Sequence, residues 1–120
     1  MTKILWKDEP DEKDYSAAWN YLRLLGLSSK LITELRQTKG CELFMARDII
    51  RASILPILGI DNNQIEKNLK KIKDGEKLSP ILLVADVPLI IADGYHRVCA
   101  VYRVDDTEEI PCKLVYRSRI

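Results

Sequence analysis

Two apolar runs, Ile81-Leu82-Leu83-Val84-Ala85 and Leu89-Ile90-Ile91-Ala92, separated by Asp86-Val87-Pro88, constrain the fold of this chain more than any other feature. Both are of strand length and rich in β-branched residues, which favours strands over a buried helix. Ser79-Pro80 opens the first, and Asp86-Val87 supplies a short turn to the second. The second stops at Asp93-Gly94 and releases Tyr95, the sole histidine His96, and Arg97. A helix is expected from there, with Val98, Val101 and Tyr102 as its inward stripe and Arg97 and Arg103 projecting elsewhere. Ile110-Pro111-Cys112-Lys113-Leu114-Val115 then reads as a closing strand.

The first half is helical in rhythm. Tyr15, Ala18, Trp19, Leu22 and Leu25 recur at three- and four-residue steps from Asp14, and Gly26 is a natural stop. Ser28 or Ser29 can cap a second helix with Leu31, Ile32 and Leu35 on one face, ending near Gly40. Residues 42–50 read as a strand running into a helical turn, limited by Pro56. Asp61 and Asn62 offer a cap for a helix carrying Ile65, Leu69 and Ile72, with Lys67, Lys70, Lys71 and Lys73 opposite and Asp74-Gly75 at its end. The expected fold is therefore α+β, a small mixed β-sheet with helices, in one domain over 1–120: a helical hairpin at 14–40 followed by an α+β core at 41–120.

Charge and composition limit the function classes. The 120 residues hold 31% charged and 47% apolar side chains, a globular balance. The apolar tract Ile81 to Ala92 is too short to span a bilayer and is interrupted by Asp86 and Pro88, so no membrane role is expected. No secretory signal is visible at the N-terminus, and three unpaired-looking cysteines suit a reducing compartment, so a cytoplasmic protein is expected. Residues 7–14 carry five acids against two lysines and read as a solvated lead-in. The net charge of +1, from 19 basic and 18 acidic side chains, gives no global support to nucleic-acid coating.

The chemistry concentrates at the strand-to-helix junction. The first N–H groups of a helix have no partner within it and point outward with the positive end of the dipole, a setting for an anion. Gly94 lets the backbone turn and lets a ligand approach. His96 and Arg97 add donors, Arg97 being able to grip two phosphate oxygens, and Tyr95 can stack on a base or use its hydroxyl. The bland alternative is an ordinary Asp-Gly turn, with Asp93 as a cap and His96 bonded to the preceding loop.

Residues 62–115 resemble the ParB/sulfiredoxin-like superfamily. The likeness lies in the order of a short helix, the "SP-ILLV" strand, a returning strand, a DG-x-H-R junction, a helix carrying Ala100, and the "IP-CKLV" strand. It covers a little under half of the chain and leaves the hairpin outside. The chain is most similar to small bacterial members with a ParB-like nuclease domain. Superfamily members bind nucleotide phosphates at this junction: CTP in ParB, ATP in sulfiredoxin, ADP or ATP in the free-serine-kinase branch. The resemblance thus implies Asp93, Gly94, Tyr95, His96 and Arg97 as a ligand site, with Gly94, His96 and Arg97 in the phosphate-gripping positions. A nucleoside di- or triphosphate with magnesium is the implied cofactor. Departures matter too. Tyr95 stands where sulfiredoxins have a reactive cysteine, which excludes sulfinic acid reduction, and ParB has Gly-Glu-Arg-Arg in place of Gly94-Tyr95-His96-Arg97. Were the site catalytic, phosphoryl transfer or nucleotide hydrolysis would be the chemistry. Asp48 and Asp93 are the carboxylates considered for it, by residue type alone.

The alternative is a non-catalytic module. "YLRLLGLSSKLITELRQ" has the rhythm of a helix-turn-helix that would present Ser28, Ser29, Lys30, Thr33 and Gln37 to DNA. Leu22 before Gly26 and the acidic lead-in favour instead a plain αα-hairpin covering one sheet face, with Trp19 in its core. Cys41, Cys99, Cys112 and His96 lack the paired spacing of a zinc site and read as core residues. Asp105, Asp106, Glu108 and Glu109 read as a solvated loop that could assist magnesium if a nucleotide binds.

Overall fold

The structure, a computed structural model, describes residues 3–119. In chain order it runs β1 (Leu5–Trp6), α1 (Glu12–Leu24), α2 (Lys30–Gln37), β2 (Glu42–Met45), α3 (Ala46–Ser53), α4 (Asn63–Lys73), β3 (Lys77–Leu78), β4 (Ile81–Ala85), β5 (Ile90–Asp93), α5 (Tyr95–Val104) and β6 (Glu109–Tyr116), then a short 3-10 turn. The fold is α+β. β4 and β5 are antiparallel, β6 lies parallel to β4 and antiparallel to β2, and the sheet order is β2-β6-β4-β5. β1 and β3 form a separate parallel pair.

The uninterrupted apolar character of β4 has a simple cause: both faces of the sheet are covered. Side chains alternate along a strand, so Ile81 and Leu83 join Ile91, Ile110 and Cys112 in a core with α3, α4 and α5. Leu82 and Val84 turn the other way and pack with Ala92 and Val115 against the hairpin. Tyr15, Ala18 and Leu22 of α1, with Leu31, Ile32 and Leu35 of α2, supply the hairpin's half of that second core, and Trp19 packs partly buried at its edge. The hairpin therefore covers one face of the sheet, as its apolar spacing suggests.

Three features differ from the sequence reading. α1 begins at Glu12, two residues before the apolar rhythm, because Asp11 takes the N-cap position and its N–H donates to Asp14 Oδ2 at 2.8 Å. Leu25, counted with the apolar stripe, lies past the helix end and is half exposed. β1 and β3, two residues each, carry no period that a sequence pattern could reveal. The segment 42–50 does run from strand into helix, and Asn62 caps α4 by accepting from the N–H groups of Gln64 and Ile65. Lys113, in the central strand, is fully buried on the hairpin face. Its ammonium is roofed by the Thr38 carbonyl and by Glu9, whose carboxylate lies 2.9 Å away. No described helix is long and apolar enough to cross a membrane.

Candidate functional site: the β5–α5 junction

The pairing of β4 with β5 slips just before the junction. Asp93 sits opposite Leu82 and Ile91 opposite Leu83, so Ala92 is an extra residue in β5. Bulges of this kind bend a strand and re-aim its end. The chain then turns through Gly94 at φ +108°, a backbone conformation that L side chains rarely adopt. Gly94 is the N-cap of α5, and no side chain caps the helix there. A side-chain cap normally satisfies one of the first helical N–H groups. Here they stand at the wall of an open cavity of about 450 Å3, lined by Asp93, Gly94, Tyr95 and His96 from the junction and by Ala17, Tyr21, Leu55, Ile91 and Ala92.

Four of the five expected site residues therefore meet at one cavity. Arg97 does not line it. Its guanidinium turns back beneath Gly94, where Nη2 donates to Asp93 Oδ2 at 3.0 Å and to the Pro80 carbonyl at 3.4 Å. Nη1 lies 3.8 Å from Asp14 Oδ1. Both carboxylates are well buried, Asp14 at 5% exposure and the Asp93 side chain at 17%. The guanidinium expected to grip phosphate is paired here with local carboxylates, because α1 brings Asp14 to the junction. Arg97 Nε is buried with no protein partner.

Tyr95 also has a partner. Its hydroxyl donates to the Pro56 carbonyl, tying α5 to the loop that follows α3, and burial pushes the phenol pKa up. The ring stays in the cavity wall, so contact by its face remains open to a ligand and donation by its hydroxyl does not. His96 packs tilted against Tyr95, ring centroids 5.6 Å apart, and among the described residues no protein group hydrogen-bonds its imidazole. Arg103 caps the other end of the same loop contact, donating from Nε to the Leu58 carbonyl at 3.2 Å.

Burial raises the Asp93 pKa above its ordinary 3.8; the charge of Arg97 opposes this and that of Asp14 adds to it. The folded state thus takes up a proton at Asp93 between pH 3.8 and that raised value. A carboxyl whose folded pKa is raised contributes most at low pH, and the contribution is lost as pH rises through this window. We expect the stability of the native chain minus that of Asp93→Asn, from urea melts across pH 3 to 8, to fall with pH and then level off. A difference that rises instead means that the attraction of Arg97 outweighs burial.

The other residues considered for chemistry lie elsewhere. Asp48 pairs with Arg51 at 3.0 Å and borders a separate apolar hollow with Phe44 and Leu83. Asp105 and Asp106 line a hollow at the C-terminal end of α5, roughly 15 Å along a ten-residue helix from the junction. The acidic loop expected to assist magnesium if a nucleotide binds thus lies at the far end of α5 from the junction. None of the lysines of α4 lines the junction cavity. Cys99 and Cys112 are buried core residues, and burial raises the pKa of each thiol, as it does for the partly buried Cys41. Among the described residues no three His, Cys, Asp or Glu side chains form a group that could hold a metal ion.

Sequence reasoning missed Asp14, Tyr21 and Leu55. The Asp11-x-x-Asp14 spacing signals a helix start, but nothing in it says which part of the sheet that start will reach. Tyr21 falls outside the apolar stripe read for the first helix and Leu55 lies just before Pro56, so neither carries a local signal for the site. No protein-family model, curated protein or solved structure matches this chain.

Proposed function

We propose that this chain is a nucleotide- or phosphate-binding domain of the ParB/sulfiredoxin-like class, with the anionic part of its ligand at the N-terminus of α5. The observation that carries this reading is the uncapped start of α5 behind Gly94, opening on a cavity that His96 also borders. Uncapped N–H groups at a helix start attract anions through direct hydrogen bonds and the helix dipole. The order β4, β5, glycine, α5, β6 supports the class assignment made from the DG-x-H-R junction.

The residues divide by role. The amides after Gly94 and the imidazole of His96 meet the anion, and the ring of Tyr95 flanks it. Asp93 is the one carboxylate at the cavity wall, and a magnesium ion would reach it only with ligand oxygens filling the remaining positions. Arg97 acts from behind, holding Asp93 and Asp14 in place. Among the described residues the cavity wall carries no Ser, Thr, Cys or Lys, so the reading is of binding.

Thermal melts with ATP, ADP, CTP and GTP, with and without magnesium, test it. A ligand at a hundred times its Kd contributes about 2.7 kcal/mol, a shift of roughly 10 °C for a chain of this size. We expect at least one nucleotide to raise Tm and the rise to be lost in His96→Ala. No shift with any nucleotide, and none with inorganic phosphate in the same melts, would end the proposal. Salt-sensitive binding of duplex DNA lost in Lys30→Ala would assign the function to the hairpin instead, although its apolar face already packs on the sheet.

A further inference from the structure

We infer that the ligand carries an apolar, ring-sized group next to its anionic one, and that this group occupies the hollow beside β5. The inference rests on the anion-binding reading above and describes the other half of the ligand. Tyr21, Leu55 and Ile91 wall the junction cavity on one side and a second cavity, of about 340 Å3, on the other. The two cavities therefore adjoin, and each volume lies in the range of small-molecule sites, about 300–1,000 Å3.

The two differ in chemistry. The junction end offers amides, Asp93 and His96. The second is walled mainly by Leu25, Leu27, Pro88 and Leu89; its uncharged polar side chains among the described residues are Tyr21 and Ser53, and the Ser53 hydroxyl already donates to the Ile50 carbonyl. Its single cation, Arg117, is already paired with Asp86 at 3.2 Å. A second anionic group would find no free charge there, and sugar hydroxyls placed there would lose water against leucine, so a nucleotide would keep its ribose at the junction end and turn its base into the hollow. An apolar ring gains from the same surroundings by leaving water. Tyr21 and Leu25, each 47% exposed, are the surfaces such a ring would cover.

The test uses the full chain and four probes followed by NMR titration: inorganic phosphate, glycerol 3-phosphate, 1-naphthyl phosphate and 1-naphthol. We expect 1-naphthyl phosphate to bind at least about tenfold more tightly than inorganic phosphate, from the apolar area it buries, and glycerol 3-phosphate to gain nothing. The advantage should collapse in Leu25→Gln and in Tyr21→Ala, both at exposed positions whose replacement leaves the core intact. Equal affinities for phosphate and its naphthyl ester overturn the inference and leave the anion site standing. An advantage that survives both variants places the ring elsewhere and overturns it as well. So does 1-naphthol binding as tightly as its phosphate ester, since the hollow would then act without the junction. Absence of binding by every probe removes the anion site and this inference together.

Discussion

Gly94→Ala is expected to lose about 2–6 kcal/mol of folding stability, measured as a urea or thermal midpoint, out of a total of about 5–15 kcal/mol for an ordinary domain. Two independent terms make up the loss. The first is backbone strain: φ at this position is +108°, and holding an L residue in such a region costs about 1–3 kcal/mol. The second is overlap. A Cβ built on Gly94 would collide with Ile81 Cδ1 and lie 2.9 Å from Arg97 Nη2. Ile81 is fully buried in the sheet core and the guanidinium is held by two carboxylates, so neither has room to yield. Overpacking of that kind costs about 1–3 kcal/mol. Gly26→Ala separates the terms, because φ there is +75° and an added Cβ meets nothing within 4 Å. Its loss should be confined to strain, about 1 kcal/mol. Equal losses at the two positions would show that the packing around Gly94 is looser than the structure has it.

Arg97→Ala should destabilise the chain by about 2–5 kcal/mol, because removing one partner of a buried ion pair leaves uncompensated charge. Two carboxylates lose their cation here: Asp14 at 5% exposure and Asp93, whose side chain is 17% exposed. Asp93 can relieve part of the loss by taking up a proton, since burial has already raised its pKa. Adding Asp14→Asn to Arg97→Ala should therefore recover part of the stability, and a double-mutant cycle gives the coupling. The same variant decides the role of the arginine at the site. A guanidinium in direct contact with ligand would take most of the affinity with it when removed. One that acts from behind Asp93 should leave affinity within a few-fold, measured by calorimetry at a temperature where the variant is fully folded. A hundredfold loss of affinity with unchanged stability would return Arg97 to the ligand and sink the positioning role.

These expectations show how unevenly the site was legible. The junction itself could be read, because a strand that ends in Asp-Gly before a helical stripe announces its turn locally. The occupancy of Arg97 could not. On a helix its side chain has no partner in sequence except Asp93 at i−4, which was read as a ligand-site residue with a cap as the bland alternative, and Asp14 lies 83 positions earlier. Lys113 presents the same difficulty in the sheet. The run Ile110 to Val115 reads only as a closing strand, with nothing local to mark Lys113 as buried, yet it is fully buried because the hairpin covers the face it occupies.

By itself the chain's order of residues determined what neighbouring positions can settle: which runs alternate or repeat as strands and helices, where Gly26, Asn62 and Gly94 interrupt them, and that His96 follows an Asp-Gly turn. Hydrophobic period and turn chemistry act over a few residues, so they are written locally. Tertiary structure alone decided that α1 delivers Asp14 to that turn, that Tyr21 and Leu55 wall its cavity, and that a buried lysine lies in the central strand. Those outcomes depend on which face of which element meets another across the sheet, and burial and charge pairing act through space between segments that share no local pattern.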